Sequence, residues 1–473
     1  MNWMIAAPEV FTFLAALWFL VLSLAAPPNP RREHLTALLL SLAGVGICLA
    51  SVTADGYLFI KAYRADLFSQ VFKAMLSLGL FLIICICGEM RDIEDRNRHD
   101  FYVLLFLCTL AMMLLVSGDH LVAIYLSLEL SSYCLYILVG LRRNQDVALE
   151  AGIKYFLVGI LSSAIMLFGI AMLYAAAQAT FLSEVVRVLP EMIHRPVVLI
   201  GLLLTLGGIF FKLAVFPFHF WAPDTYQGAM SQVAAYIATA SKVAAIGVIL
   251  RVVAAAGQGS DYLVHVLVGL AIVSMTVGNL AAIAQKDVKR LLAFSTMAHS
   301  GYVLMGVLCM SRVGYASVIF YALSILVMKF AAFLVVVAVA PDGSNPRIGD
   351  LAGLHRRSPV LALVLMVSLF SLAGIPPTIG FTSKFLVFVA AMEKGLFALV
   401  VIAMINVLIS LYYYLLVIKA AYQTEPAHEP PSVVLSPSLK ALSVALVGVM
   451  VVAGFFPNPL IELATAAARV LAP

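Results

Sequence analysis

The stretch FFKLAVFPFHFWAP, residues 210–223, places a lysine inside a long apolar run and then interrupts that run with proline. Pro217 has no backbone donor and its ring clashes with the preceding helical turn, so a helix that contains Lys212 is expected to break here. A charged side chain within a membrane costs at least about 2.5 kcal/mol, so its presence there is by default a sign of function. The stretch therefore predicts a broken transmembrane helix with a buried lysine beside the break.

The composition places the whole chain in a membrane. Of its 473 residues, 63% are hydrophobic and only 11% are charged. A soluble domain carries about 25% charged residues. The net charge of +5 therefore reports on the orientation of loops, and it does not imply a nucleic-acid partner. The six cysteines fall inside apolar runs without a CxxC motif, so we expect them to be core residues rather than metal ligands.

Fourteen apolar stretches are long enough to cross the membrane, which takes about 20 helical residues. We expect an all-α, polytopic integral membrane protein whose spans lie at approximately 8–26, 35–53, 68–88, 101–118, 121–140, 149–177, 197–217, 229–250, 262–283, 290–310, 314–338, 359–379, 396–419 and 438–456. The first stretch begins without a basic residue and carries Glu9, so we expect it to stay in the mature protein rather than act as a cleaved signal. The loops hold no Gly/Ser-rich linker, which indicates a single membrane domain over residues 1–473.

The basic residues predict the orientation of the chain. Fifteen lysines and arginines lie in loops that follow odd-numbered spans, against eight on the opposite side. Because basic residues are enriched in cytoplasmic loops, the richer side is expected to be cytoplasmic. Both termini are then expected on the periplasmic side.

The remaining six basic residues all lie inside predicted spans, and all six are lysines: Lys73, Lys154, Lys212, Lys242, Lys329 and Lys384. Burial can lower the pKa of a lysine far enough for it to lose its proton near neutral pH, whereas an arginine keeps its charge. This bias therefore favours proton transfer. Only one acid, Glu129, lies deep within a predicted span, and Glu150 lies at the mouth of the sixth.

A structural interpretation competes with the functional one at each of these residues. Lys73 lies near the start of its span and is expected to extend its ammonium group to the interface. Lys154 follows Glu150 by one turn, and such an ion pair leaves both interpretations open. Lys329 lies deeper, which favours a part in a proton path. The functional interpretation is favoured for the mid-span residues without a local partner: Glu129, Lys212, Lys242 and Lys384.

Two histidines are further candidates. His299 lies within the tenth span, where a neutral imidazole can pass a proton between its two nitrogens, although a packing role is equally consistent with its position. His219 follows the break at Pro217, and Trp221 nearby indicates that this end of the span approaches the interface. A solvated histidine at this interface is therefore the alternative to a functional role for His219.

A second broken span resembles the first. The stretch GIPPTIGFTSK, residues 374–384, places glycines and prolines just before Lys384 in the twelfth span. Broken helices at corresponding positions indicate inverted repeats around a polar path, because freed backbone groups are tolerated only where they line a cavity or lie buried in protein. A break lets water and backbone dipoles reach a lysine that would otherwise be stranded.

The spacing of the two breaks sets the size of the repeat. The seventh and twelfth spans are five apart, and a unit with an odd number of helices must be inverted in its second copy. SSY at 131–133 and SGY at 300–302 occupy equivalent places in the two units. The predicted regions are three N-terminal helices in 1–100, a first repeat in 101–256, a second in 257–420 and a C-terminal helix in 421–473.

Several stretches together resemble a known family. They are LSLELSSYCLYILVG, AGIKYFLVGILSSAIMLFG, FFKLAVFPFHFWAPDTYQGA, ATASKVAAIGVIL, RLLAFSTMAHSGY and LAGIPPTIGFTSKF. They are similar to the antiporter-like membrane subunits of proton-pumping NADH:quinone oxidoreductase, respiratory complex I, in a superfamily that also includes multisubunit cation/proton antiporters. The branch called subunit N fits best, since subunit L continues into a long lateral helix and subunit M has an acid where this chain has Lys384.

The resemblance implies roles for individual residues. Glu129 and Lys212 match the pair on the fifth and seventh spans whose interaction gates the channel. Lys242 matches the central lysine, and Lys384 matches the residue that exchanges protons with the far side. A secondary path would include Lys154 and His299, and we add Lys329 and His219 as further candidates.

The resemblance also implies what surrounds the chain. It would lie in a bacterial inner membrane and move protons driven by redox chemistry elsewhere. NAD, FMN, iron–sulfur clusters and quinone would belong to other subunits, with none of these cofactors and no metal in this chain. The expected partners are the antiporter-like subunit M and the small K, J and A subunits. A sodium/proton antiporter subunit and a structural scaffold remain the alternatives.

Overall fold

The computed structural model describes residues 3–25, 27–142, 146–256, 261–425 and 432–471. This part of the chain is almost wholly helical. The helices up to the first break are α1 (Ala7–Ala25), α2 (Pro30–Ala50), α3 (Leu67–Cys85), α4 (Arg98–Ser117), α5 (Leu121–Gly140), α6 (Asp146–Ala177), α7 (Leu182–Met192) and α8 (Pro196–Leu213). Short 3-10 turns at Trp3–Ile5, Asp95–Asn97 and Ile348–Leu351 complete the helical structure.

Twelve further helices of the described chain follow the first break. They are α9 (Trp221–Gly228), α10 (Ser231–Ala238), α11 (Ala240–Ala256), α12 (Asp261–Ile283), α13 (Val288–Val307), α14 (Arg312–Val339), α15 (Leu354–Arg357), α16 (Pro359–Ala373), α17 (Ile379–Glu393), α18 (Phe397–Gln423), α19 (Pro437–Phe455) and α20 (Asn458–Ala468). Between α2 and α3 the strands β1 (Gly56–Leu58) and β2 (Tyr63–Ala65) pair antiparallel as a hairpin.

Twelve helices of the described chain are long and apolar enough to cross a membrane. An integral membrane protein is therefore confirmed, whereas the predicted number of fourteen spans is not. The predicted tenth span corresponds to α13, which is not among the twelve, and the predicted twelfth is divided into two helices of 15 residues each. The C-terminal region holds two helices, α19 and α20, where the sequence predicted one.

Both predicted breaks are present, and they have the same construction. Helices α8 and α16 are each followed by a cap residue in the left-handed conformation, Ala214 with φ of 59° and Gly374 with φ of 86°. The amide of each cap residue donates back to carbonyls three and four residues earlier. Because the helix stops there, the carbonyls of its last residues have no intrahelical partner and are available to side chains.

The eighth span is also interrupted, which the sequence did not predict. Thr239 separates α10 from α11, and its hydroxyl donates to the carbonyl of Ala235 at 2.7 Å. A threonine that bonds back to the preceding turn bends a helix. Lys242 consequently lies in the first turn of a new helix.

The eighth span forms the centre of the molecule. Every residue from Ser231 to Ala255 except Ala254 is buried, whereas most residues of α19 are not. The other helices surround it, and their outward faces remain apolar, as expected for surfaces that contact lipid or neighbouring membrane helices. The boundary predicted between the two repeats falls at residues 257–260, which lie outside the described residues.

Candidate functional site

Lys212 lies at the end of α8 against two hydroxyls of α5. Its ammonium group donates to Oγ of Ser131 at 2.6 Å and to Oγ of Ser132 at 3.0 Å, and the residue is 1% exposed. Glu129 lies one turn earlier on α5 and accepts a short hydrogen bond from Ser163. The ion pairs of the described chain do not include Glu129 with Lys212, so the two groups are neighbours through serines rather than direct partners.

Lys242 uses the carbonyl that the first break leaves free. Its Nζ donates to the main-chain oxygen of Lys212 at 2.6 Å and lies 4.9 Å from the centroid of the Trp221 ring. The indole in turn donates to the carbonyl of Phe211 at 3.0 Å. The sequence predicted that the break would bring backbone dipoles to Lys212. In the structure, the carbonyl freed at the break instead accepts a hydrogen bond from Lys242, the lysine of the next span.

The next freed carbonyl connects the two halves of the chain. The hydroxyl of Ser300, on α13, donates to the oxygen of Leu213 at 2.5 Å. The adjacent His299 has Nδ1 2.7 Å from the hydroxyl of Tyr321 on α14. His299 is 3% exposed, so it belongs to the buried polar groups of the second half.

A second chain of polar contacts continues beyond His299. Its Nε2 lies 3.5 Å from the hydroxyl of Tyr414, which is 2.6 Å from Oγ of Ser295. Ser295 also accepts a hydrogen bond of 2.6 Å from Lys329, whose ammonium group donates to the carbonyl of Leu292 as well. Lys329 and His299 are therefore joined through two hydroxyl groups.

Lys384 caps the second break. Its Nζ donates to the carbonyls of Leu372 and Ala373, each at 2.9 Å, and lies 4.9 Å from the centroid of the Tyr302 ring. These are the last carbonyls of α16, where the helix dipole presents its negative end. The sequence predicts that a break brings backbone dipoles to the lysine beside it, and the two carbonyls that bind Lys384 are such dipoles.

Lys154 lies apart from these groups, on the flank of the molecule. Its side chain is 46% exposed and pairs with Glu150 at 2.7 Å and with Asp224 at 2.8 Å. Asp224 also accepts from Arg290 at 2.6 Å. The structural ion pair left open by the sequence is present, and it extends to α9 and α13.

Two expectations about exposure are wrong. His219 is 6% exposed and lies against the rings of Phe216 and Phe220, so it is not the solvated histidine that the nearby tryptophan suggested. Lys73 does not extend to the interface: it is 0% exposed and pairs with Glu9 at 2.9 Å. The rings around His219 belong to its own neighbours in the sequence, whereas the acid that pairs with Lys73 lies 64 positions away on α1, where local sequence does not place it.

The sequence also missed two buried acids. Glu9 on α1 is 6% exposed, and Glu33 on α2 is 0% exposed, so Glu129 is not the one deep acid of the helices. Glu33 pairs with Nε2 of His99 at 3.1 Å. Both acids lie within a few residues of the start of an apolar run, where a carboxyl is ordinarily expected in water.

A charged residue after α5, Arg142, joins several loops at one side of the molecule. Arg142 donates to the carbonyls of Gln227 and Gly228 at 3.1 Å, and to that of Gly343. Its Nε lies 3.5 Å from Asp92, where burial raises the pKa of the carboxyl and the guanidinium opposes that rise. The end of α9 is thereby tied to two loops.

The arrangement can pass protons between neighbouring groups. Lysines, hydroxyls and freed carbonyls run from α5 to the first break and Ser300, and a second group of contacts joins His299 to Lys329. Lys384 lies at the second break, bound to the carbonyls of α16. Lysine and histidine can each exist with or without the extra proton. The serines of SSY and SGY, which occupy equivalent places in the two predicted repeats, both make contacts at the first break. Ser131 and Ser132 accept hydrogen bonds from Lys212, and Ser300 donates to the carbonyl of Leu213.

Comparisons with known proteins agree with this arrangement. Residues 118–410 match the family described as "NADH:quinone oxidoreductase/Mrp antiporter, TM". The chain is 66% identical to "NADH-quinone oxidoreductase subunit N 2" of Syntrophobacter fumaroxidans, over 100% of both chains. It is 32% identical to a chain of respiratory complex I from Thermus thermophilus with bound aureothin, with a TM-score of 0.84 over 97% of this chain and 99% of that one. A chain of the Mrp complex from Dietzia sp. DQ12-45-1b shares the fold at 23% identity, with a TM-score of 0.88 over 100% of this chain and 98% of that one.

Proposed function

This chain belongs to the NADH:quinone oxidoreductase/Mrp antiporter family of membrane proteins, and on that premise we propose that it is a proton-translocating membrane subunit of an NADH:quinone oxidoreductase. The identity of 66% to subunit N 2 of Syntrophobacter fumaroxidans, over the full length of both chains, favours this branch of the family. The enzyme is the whole complex, to which this chain contributes proton movement.

One observation carries the proposal: the buried lysines bind neutral dipoles that connect them. Lys212 binds serines, and Lys242 binds the carbonyl of Lys212. The next carbonyl, that of Leu213, continues to Ser300 of the second half. Such contacts hold an ammonium group in a low-dielectric site without a fixed counter-charge, so the lysine can release its proton when a neighbouring charge changes.

The proposed relay consists of Glu129, Lys212, Lys242 and Lys384. Glu129 sets the charge near Lys212, Lys242 stores a proton at the centre, and Lys384 exchanges with the far side. His299 and Lys329 connect the centre to the second half, with Lys154 and His219 as secondary members. Moving one proton against about 150 mV costs roughly 3.5 kcal/mol, which a change in buried charge pairing can supply.

The rest of the complex supplies the driving force. We place NAD, FMN, iron–sulfur clusters and quinone in other subunits, so that this chain carries no redox centre. Its neighbours would be the antiporter-like subunit M and the small K, J and A subunits, in a bacterial inner membrane with both termini periplasmic. The chain itself is divided into an N-terminal unit, two inverted five-helix repeats and a C-terminal unit, with the boundaries given above.

The test replaces Lys212 with arginine in the intact complex. Lys212→Arg keeps the positive charge, but a guanidinium does not release its proton at any accessible pH, so a proton relay must fail. We expect an assembled complex whose proton pumping and coupled quinone reduction both fall severely, measured by dye quenching and NADH oxidation in inverted vesicles. Lys394→Arg, the same change at an exposed lysine, is the matched control.

Assembly is checked separately on a native gel, since loss of the subunit would imitate loss of the relay. An assembled Lys212→Arg complex that pumps at the wild-type rate would show that Lys212 carries no proton and would favour the scaffold alternative. The antiporter alternative rests on the family description and on the likeness to the Mrp chain, which at 23% identity extends to the fold alone. Sodium-dependent acidification by vesicles that hold the purified chain would support it.

A further inference from the structure

A second buried acid–lysine site lies in the N-terminal helices, outside both repeats. Nζ of Lys73, on α3, is 2.9 Å from Oε1 of Glu9 on α1. The hydroxyl of Tyr63, on strand β2, lies 2.6 Å from this Nζ and 2.7 Å from the same carboxylate oxygen. Tyr63 therefore accepts from the lysine and can donate to the acid, so that all three groups share one hydrogen-bonded triangle. We call Glu9, Tyr63 and Lys73 the N-terminal triad.

Some polar atoms of the triad, and of residues close to it along the chain, have no hydrogen-bond partner within the described protein. Oε2 of Glu9, Oε1 of Gln70 and Oγ of Ser117 are buried and accept no hydrogen bond from the described residues. Gln70 lies one turn before Lys73 on α3, and the bridge between Tyr63 and Gly118 places Ser117 beside the hairpin. A buried polar atom without a partner costs about 1–3 kcal/mol, and internal water with two to four polar partners is the usual remedy. Oε2 of Glu9, which belongs to the triad itself, therefore favours a hydrated site.

Other charged groups nearby are already engaged. Asp66 pairs with Arg64 at 3.1 Å and with Arg251 at 2.8 Å, so it does not compete for Lys73. The thiol of Cys48, from α2, is a further titratable group close to Glu9 and Lys73. Lys73 thus has Glu9 as its sole ion-pair partner among the described residues.

We propose that the N-terminal triad is a second proton-binding site, which exchanges protons with water on the side of the membrane where the hairpin lies. The proposal rests on the function proposed above and adds a site that is separate from the lysines of the repeats. In the exchange, an N–H bond of Lys73 breaks and its proton passes to the hydroxyl of Tyr63. Tyr63 gives its own proton to Oε1 of Glu9, which leaves a neutral amine and a neutral carboxylic acid, and water takes the proton from the acid.

A structural latch is the competing interpretation, because the triad also ties α1 and α3 to the hairpin. Lys73→Arg separates the two. Arginine keeps the charge and the ion pair with Glu9, so a latch tolerates it, whereas a proton-binding site loses its exchangeable proton. Tyr63→Phe is the second variant: it keeps the ring and its packing and removes only the hydroxyl that bridges the acid and the lysine.

The experiment measures protons pumped per NADH oxidised by the intact complex in inverted vesicles, over a range of pH. We expect both variants to assemble and to lose pumping, with a changed pH profile. Glu33→Gln is the matched control, since Glu33 is a buried acid of the same helices that lies outside the triad. If Arg251→Lys, which alters an ion pair of the same region, changes the pH profile as much as Lys73→Arg does, the effect is structural and the proposal is wrong.

The result also separates this proposal from the function it rests on. If Lys212→Arg abolishes pumping while Lys73→Arg and Tyr63→Phe pump at the wild-type rate with an unchanged pH profile, the triad is a latch and the relay through the repeats stands. If Lys73→Arg fails to assemble, Tyr63→Phe decides alone. Normal pumping by an assembled Tyr63→Phe complex then overturns the proton-binding site.

Discussion

Lys212, Lys242 and Lys384 are each held by neutral oxygen atoms. The acceptors are hydroxyls at the first and main-chain carbonyls at the other two. Lys73 and Lys154, by contrast, lie in ion pairs. A carboxylate partner favours the charged form of a lysine, whereas dipoles leave the two forms closer in free energy. The difference in partners therefore distinguishes the lysines at the breaks, which can lose a proton without losing an ion pair, from Lys73, whose proton would have to pass through Tyr63 and Glu9.

The two serines at Lys212 give a direct test of this distinction. In a double variant, Ser131→Ala with Ser132→Ala, the ammonium group loses both hydroxyl acceptors while the cavity changes by only two oxygen atoms. A hydrogen bond to a charged group contributes about 1.5–3 kcal/mol, and about 1.4 kcal/mol is a factor of ten. Because two such bonds are lost, we expect proton pumping by the assembled complex to fall at least tenfold, measured by dye quenching in inverted vesicles.

Ser438→Ala, the same change at an exposed serine, is the control for this experiment. Wild-type pumping by the double serine variant would mean that water replaces the hydroxyls without loss. The serines would then be packing residues, and the argument from neutral acceptors would fail at this position.

At this scale the sequence predicts which residues are buried better than it predicts their partners. An apolar run of about 20 residues places Lys242 within the membrane, whatever lies beside it. Its acceptor, the carbonyl of Lys212, is 30 positions earlier and becomes free only because α8 ends there. Glu9 and Lys73 are 64 positions apart, and no local pattern connects them. Long-range packing supplies the partners.

The breaks in the helices are the elements that create the site. Each break ends a helix in a left-handed residue and turns its last carbonyls toward a lysine. Gly374 is suited to this position, since glycine adopts positive φ without a steric cost. It also leaves room: a Cβ atom built there would lie 2.9 Å from Cδ of Lys384.

Gly374→Ala is therefore expected to damage the relay as well as the helix cap. The left-handed conformation costs a non-glycine residue about 1–2 kcal/mol, and the new methyl group displaces the side chain of Lys384 from the carbonyls it binds. We expect the variant complex to assemble, to lose part of its thermal stability and to pump protons more slowly than the wild type.

Gly395→Ala separates the two effects. Gly395 also has a positive φ, of 81°, but within the described chain a Cβ atom there meets nothing closer than 4 Å. The control thus carries the backbone cost without a contact to Lys384. Should both variants lose stability equally and pump equally well, the space beside Gly374 is not needed for Lys384.

The two predicted breaks and the unpredicted one differ in their chemistry. Proline is visible in a sequence as a helix breaker because it always lacks the backbone donor. Thr239 bends its span by bonding to Ala235, which a threonine does in some helices and not in others. The interruption beside Lys242 therefore could not be read from residue type alone.

The whole molecule combines a buried centre with helices that face lipid or other subunits. Its membrane character follows from composition, since no arrangement of a chain that is 63% hydrophobic provides a polar surface. The number of spans does not follow in the same way. Charged and polar residues in α13, such as Lys289 and His299, and the division of the twelfth span make length and hydropathy poor guides at these two positions.

The orientation of the molecule rests on loop charge and can be measured. Fifteen basic residues lie in or beside the loops predicted after odd-numbered spans, and eight lie on the opposite side. Because positively charged loops are retained in the cytoplasm, fluorescent-protein fusions at residue 350 should fluoresce, and phosphatase fusions at residue 258 should be active in the periplasm. Residue 258 lies outside the described residues, so a second pair, at Glu94 and Ser311, repeats the test within them.

The reverse pattern in both pairs would place the hairpin and the N-terminal triad on the cytoplasmic side. The triad would then exchange protons with the cytoplasm, on the side from which protons are taken up.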